Sequence, residues 1–309
     1  MRGNGSCSSA RWEVAVRKVS SLLLAVLVAV LSGCGDAATT APSSTSSAVT
    51  DPMRISYGET DDNFGELYLP AGTAGELPVV VLVHGGGWEQ VHDLSYMGVL
   101  AEDLVAHGVA VWNVEYRRVG GAGGWPTTLA DVDDATESLA TVVQEQAGGR
   151  LDLNRVHVAG HSAGGHLAAW LAGRHTIDGT DAPGADPKVR LTGATIMAGV
   201  LDLRLAAING HDRFVRDLLG GLPDEQPDRY RIASPIEHLP VGLPVTVVHG
   251  DNDGTVSPQQ SRNYAAAARA AGDPVTLHLV PGGGHADFGD VRSAAWVAAK
   301  AALLDRIGV

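Results

Sequence analysis

Cysteine is nearly absent from this chain of 309 residues: there are two, Cys7 and Cys34. The sequence beyond them has no thiol for a disulfide, a zinc site or a cysteine nucleophile, and a domain of this size does not need disulfide staples. Positive charge is also scarce, with 22 Lys and Arg against 35 Asp and Glu and a net charge of −13. Such a surface repels nucleic acid and anionic head groups, and no basic patch interleaved with aromatics relieves it. A nucleic-acid function is therefore excluded. The H-E-x-x-H spacing does not occur, and neither a metal nor a cofactor is expected. Gly120 to Gly124 do not fit a G-x-G-x-x-G turn opening a helix, so they read as a mobile loop and not a dinucleotide site. Aromatics make up only 5%, but hydrophobic residues reach 45%, enough for a large core.

What is present begins with a processing segment. Arg2, Arg11, Arg17 and Lys18 stand against the single acid Glu13, and the apolar run Leu22–Leu31 follows. This is a charged n-region and an h-region, too short to span a bilayer comfortably. It ends in Leu31-Ser32-Gly33-Cys34, which resembles the lipobox of bacterial lipoproteins. The resemblance implies a signal peptide over 1–33 and lipidation of Cys34. It also implies a chain held on the outer face of the cell membrane by its lipid anchor alone. Ordinary signal cleavage nearby is the alternative. Residues 34–51, rich in Ala, Ser and Thr, read as a flexible tether.

From residue 52 onward the pattern is one of strands alternating with helices. Arg54–Gly58 and Phe64–Pro70 alternate apolar with polar residues, as half-exposed antiparallel strands do. Leu77–His84 and Val109–Tyr116 are continuously apolar, as expected of strands covered on both faces. Val156–Ala159, Leu191–Ala198, Pro244–His249 and Val275–Val280 complete the set. Helices are predicted over 93–107, 129–146 (with Thr127 as cap), 165–172, 258–271 and 290–307. Residues 200–240 break the rhythm with short helical pieces and prolines, and read as a cap insertion. The prediction is one α/β domain over 52–309, with a mostly parallel sheet and helices on both faces.

The chemistry-bearing residues fall just after strands, where ligands bind in open parallel sheets. Gly160-His161-Ser162-Ala163-Gly164 joins a strand to a helix, the context that gives G-x-S-x-G its meaning. The turn is sharp, so small residues are needed on either side of Ser162. His84-Gly85-Gly86-Gly87-Trp88 follows another strand. Asp251 and Asp253 lie in the loop after His249, and His285 follows the last strand. Serine, then aspartate, then histidine is the chain order of α/β-hydrolase triads. Asp202, after the strand ending near Ala198, is a weaker rival for the acid.

These segments, with Tyr116-Arg117, Ser234-Pro235 and His249-Gly250-x-x-Asp253-x-x-Val256, resemble α/β-hydrolase esterases. The likeness spans roughly residues 53–309. It is strongest to bacterial carboxylesterases that include feruloyl and acetylxylan esterases, and to kynurenine-formamidase-like enzymes. It implies Ser162 as nucleophile, His285 as base, and Asp253 rather than Asp251 as the acid. It implies backbone N–H groups of Ala163 and of Gly86 or Gly87 as the oxyanion hole. Trp88, Trp125 and Tyr116 are candidates for the pocket wall, with plain packing as the alternative for each. His84 and His249 read as structural. The substrate expected is a small-molecule ester of an acyl or aryl acid, cleaved through an acyl-enzyme. An amide hydrolase, formamidase-like or peptidase, is the second reading. A non-catalytic binding protein on the same scaffold is the third.

Overall fold

The computed structural model describes residues 51–177, 182–210 and 212–309. The expected signal segment, Cys34 and the tether up to residue 50 lie outside the described residues. The eight strands are β1 (Met53–Ser56), β2 (Phe64–Tyr68), β3 (Leu77–Val83), β4 (Ala110–Val114), β5 (Leu151–His161), β6 (Leu191–Met197), β7 (Val245–Gly250) and β8 (Val275–Val280). They form one sheet in the order β1-β2-β4-β3-β5-β6-β7-β8. β2 runs antiparallel to both neighbours, and every pairing from β4 to β8 is parallel.

The apolar run of β3 feeds two cores at once. Val79, Val81 and Val83 belong to one, Val80 and Leu82 to the other, because alternate side chains point to opposite faces. One face is covered by α1 (Gly98–Val105) and α9 (Ala294–Ile307). The other is covered by α2 (Thr127–Glu137), α3 (Val142–Gln146), α4 (Ala163–Gly173) and α8 (Gln259–Ala271). The insertion after β6 adds α5 (Leu203–Asn209), α6 (Arg213–Leu219) and α7 (Pro227–Ala233). Asp202 and Asp212 cap the first two of these through backbone N–H groups, a local use of carboxylates that leaves Asp202 no part as a catalytic acid.

Three predicted boundaries move. The helix predicted over 129–146 breaks at a 3-10 turn, Ser138–Ala140. The Ala135 carbonyl there accepts from the Trp112 indole at 2.8 Å and the Ser138 hydroxyl at 2.7 Å, which draws it away from the helical ladder. Thr127 is the first helical residue and not the cap. Its neighbour Thr128 accepts from the Gly124 N–H at 2.9 Å instead. The helix predicted over 93–107 begins as a 3-10 turn, Leu94–Met97, capped by Asp93.

The chain passes from β3 outward to β4 and then returns to β5 on the other side of β3. Loops leaving β3 and β5 thus diverge and leave a crevice at the carboxyl ends of these strands, the switch point where open α/β sheets bind ligands.

Candidate active site

Ser162 sits at the apex of the turn between β5 and α4, with φ 58° and ψ −120°. This is a sparsely populated region for a residue with a side chain. Two glycines make it possible. A methyl group on Gly160 would overlap the Gly164 carbonyl, and one on Gly164 would run into the carbonyls of Val83 and His84. Hydrogen bonds then hold the turn: the Ser162 N–H donates to Met197 O at 2.8 Å, and its carbonyl accepts from His166 N at 3.0 Å. Ser162 remains only 8% exposed.

The structure brings His285 and Asp253 together. His285 Nδ1 lies 2.7 Å from Asp253 Oδ2. The other carboxylate oxygen accepts from the backbone N–H groups of Thr255 and Val256, at 2.8 and 2.9 Å. Burial pushes the Asp253 carboxyl up, but hydrogen bonds from His249 and His285 outweigh it and hold the group well below the usual carboxylate range. Asp251 instead caps the Gly282 N–H at 2.6 Å, a structural task in the neighbouring loop. His249 bonds Ser261 and Val256, tying the acid loop to α8.

The glycine loop after β3 is seated against the serine turn. Gly86 and Gly87 have φ of +105° and +63°, which a side chain would oppose. Trp88 shares the left-handed conformation at φ 57°. Ala163 is the first residue of α4, where N–H groups have no acceptor within the helix. Behind the loop lies a fully bonded carboxylate. Glu115 accepts from Tyr116 N and Arg118 at 2.8 Å, faces His84 Nε2 at 2.8 Å, and accepts from Leu94 N at 3.1 Å. His84 is buried and stacked on Tyr116, a structural histidine as the sequence implies.

Ser162, Ala163, Gly86, Gly87 and His285 line one cavity of about 640 Å³. Trp88 contributes an edge to it. Trp125 does not: it packs on the core, its backbone N–H donates to Leu218 O at 2.8 Å, and it joins the loop 119–126 to the insertion. Tyr116 is also absent from the wall, because its hydroxyl points inward to His84 O at 2.8 Å. The insertion supplies what the sequence did not assign: Ala206, Asp212, Arg213 and Phe214 close one side. Short capped helices were legible there, but not their direction of approach. A second cavity, of about 460 Å³, lies at the opposite ends of the strands near Leu191 and Val241 and holds none of these groups.

His157 and His161 stand four residues apart, as metal-binding pairs do on helices, but here on a strand. That spacing separates them by roughly 13 Å, and they bond Thr195 and Tyr96 respectively. Among the described residues no group of three or more His, Cys, Asp or Glu could hold a metal ion.

A parallel sheet with a strained serine turn after β5, and an Asp–His pair on the loops after β7 and β8, defines an α/β-hydrolase. Residues 66–267 match the BD-FAE family model, and the chain belongs to that family. Ester hydrolysis is its reaction class. The chain is similar to esterase LipC of Mycobacterium tuberculosis (strain ATCC 25618 / H37Rv), with 30% identity over 217 residues. That match covers 67% of this chain and about half, 52%, of LipC. It is 26% identical over 232 residues to kynurenine formamidase of Danio rerio, covering 74% of this chain and 72% of that one. Among solved structures, a truncated carbohydrate esterase from gut microbiota superposes with a TM-score of 0.72 at 20% identity, covering 85% of this chain and 99% of the other.

Proposed function

We propose that the chain cleaves carboxylic esters of small acyl or aryl acids through a covalent acyl-enzyme on Ser162. The observation that carries this is one cavity lined by Ser162, the glycine loop and His285, whose ring is held from behind by Asp253. His285 Nδ1–H is held by Asp253, so Nε2 is left to take the serine proton as Oγ attacks the ester carbonyl. The carbonyl electron pair moves onto oxygen, and the N–H groups of Ala163 and of Gly86 or Gly87 stabilise it. When the intermediate collapses, His285 returns the proton to the leaving alcohol. Water then repeats the cycle on the acyl group and frees the acid. Asp253, kept ionised by its hydrogen bonds, stabilises the imidazolium that forms in both halves.

Short-chain p-nitrophenyl esters are the first test. Ser162→Ala should lower kcat by roughly 10⁴–10⁶-fold and remove labelling by a fluorophosphonate probe. Undiminished turnover in that variant would refute the mechanism. The likeness to kynurenine formamidase favours a second substrate class, N-formyl arylamines, and N-formylkynurenine belongs in the same panel. The lipobox-like Cys34 supports a companion proposal, a lipid anchor at the cell surface. The full chain should then fractionate with membranes, and Cys34→Ala should release it.

A further inference from the structure

His161 lies beside the nucleophile in sequence, yet the proposed mechanism gives it no task. It is buried, and burial together with the neighbouring His285 charge pushes its pKa down to about 3. It is therefore neutral at working pH and carries a single ring proton. Its partners decide where that proton sits. Nε2 lies 3.0 Å from the backbone carbonyl of His285, which can only accept. Nε2 thus carries the hydrogen, and Nδ1 is the acceptor. Nδ1 lies 3.2 Å from the Tyr96 hydroxyl, which must be the donor. That hydroxyl in turn accepts from the Gly85 N–H at 2.6 Å. Every donor and acceptor along this line has one consistent assignment: Gly85 N–H to Tyr96 Oη, Tyr96 O–H to His161 Nδ1, His161 Nε2–H to His285 C=O.

The two ends of the line are the two parts that must be placed against Ser162. Gly85 opens the glycine loop and touches the serine turn: a methyl group there would meet the His161 carbonyl and come within 2.9 Å of Ser162 Cβ. At the other end stands His285 itself. Its ring is held to Asp253, but its backbone rides on a short 3-10 turn, His285–Gly289, that follows the glycine-rich loop after β8. His161 touches that turn again through Phe288, at 5.2 Å between ring centroids.

We infer that Tyr96 and His161 are positioning residues, a hydrogen-bonded strut that sets the glycine loop and the His285 backbone at fixed places on either side of Ser162. The inference rests on the triad reading above. It assigns a role to His161 within the serine motif and to Tyr96, which sequence reasoning placed only on a helix. Both side chains border the cavity, but the Tyr96 hydroxyl and both His161 ring nitrogens are bonded within the strut, so its loss acts on turnover more than on binding.

The full chain and five variants test it with a short-chain p-nitrophenyl ester, with Tm measured for each. Tyr96→Phe and His161→Asn should each lower kcat by about 5–30-fold, the loss expected for one buried hydrogen bond, with KM within about twofold. His161→Gln should lose no more than Tyr96→Phe, because its amide nitrogen falls near Nε2 and can still donate to His285 O, so that only the Tyr96 link is broken. His161→Asn cannot reach it. The double variant Tyr96→Phe with His161→Asn should be no worse than the poorer single variant, as for one connected strut. Wild-type kcat in Tyr96→Phe, a larger loss in His161→Gln than in Tyr96→Phe, or losses that multiply in the double variant would each overturn the inference. Should His161→Asn fail to fold, Tyr96→Phe alone decides by its kcat. Ser162→Ala, the fifth variant, separates the two levels: activity that survives it sinks the triad reading, whereas activity that needs Ser162 but ignores Tyr96 sinks only the strut.

Discussion

At the scale of single residues, two neighbouring aspartates show what the structure adds. Asp251 and Asp253 have the same chemistry and nearly the same place in the chain. The family spacing favours Asp253, and three-dimensional contacts show why: one aspartate faces His285 and the other caps Gly282. Asp253→Asn should therefore lower kcat by about 10⁴-fold, the cost of losing the carboxylate behind a triad histidine. Asp251→Asn should keep activity within severalfold. Equal losses in steady-state assays would remove Asp253 from its role. Ser162, His285 and both candidate acids were visible in the sequence because each follows a strand and carries rare chemistry. Tyr96 was not visible. A tyrosine among Leu94, Met97 and Leu100 reads as helix packing, and nothing in its spacing points to a glycine eleven residues earlier. Trp125 misled for the related reason that an indole beside a glycine loop looks like a pocket wall until its own contacts are seen.

At the scale of elements, the strands were the most readable part, since β3, β4 and β7 are apolar on both faces. The first half of β5, Leu151–Arg155, was missed because its polar residues resemble a loop. Leu151 nonetheless pairs with Leu77, across a register shift, before the apolar half begins. The serine turn depends on backbone contact and not on side-chain chemistry. Gly164→Ala places a methyl group against the Val83 and His84 carbonyls. It should cost roughly 2–4 kcal/mol of stability or displace Ser162, two routes that denaturant unfolding and fluorophosphonate labelling separate. A fully stable, fully reactive Gly164→Ala protein would contradict the geometry. The insertion was recognised as an interruption, but its use was not. Phe214 lies against Gly87, and Arg213 reaches Glu89 at 3.2 Å, so these helices shape the cavity from the side opposite the sheet. Helical periodicity states which face is apolar, but not which loop it will meet.

At the scale of the whole molecule, buried histidines govern the response to acid. Burial pushes His157 and His161 down to about 3 and His166 to about 4. Unfolding returns each to about 6.5, so below that pH the unfolded chain binds more protons than the native one. The stability these groups provide is complete above pH 6.5 and is lost as pH falls through the native values. Around pH 5 each histidine should contribute a slope of roughly 1.4 kcal/mol per pH unit. Asp133 opposes them in part: burial raises it to about 6 despite its bond to Arg174, so its protonation favours the native state over that range. Denaturant midpoints measured from pH 7 to pH 4 should fall steadily. A flat profile would mean that these histidines are solvated.

The order in which the site is assembled along the chain has a consequence in time. The glycine loop and Ser162 belong to the first 163 residues, whereas Asp253 follows β7 and His285 follows β8. A nascent chain that has reached residue 250 holds a nucleophile without its base, and a place for the oxyanion without anything to create one. In the proposed mechanism the reactive centre is complete only once His285 is in place, after β8 has joined the sheet edge. Until then, the proposed nucleophile has nothing to take its proton.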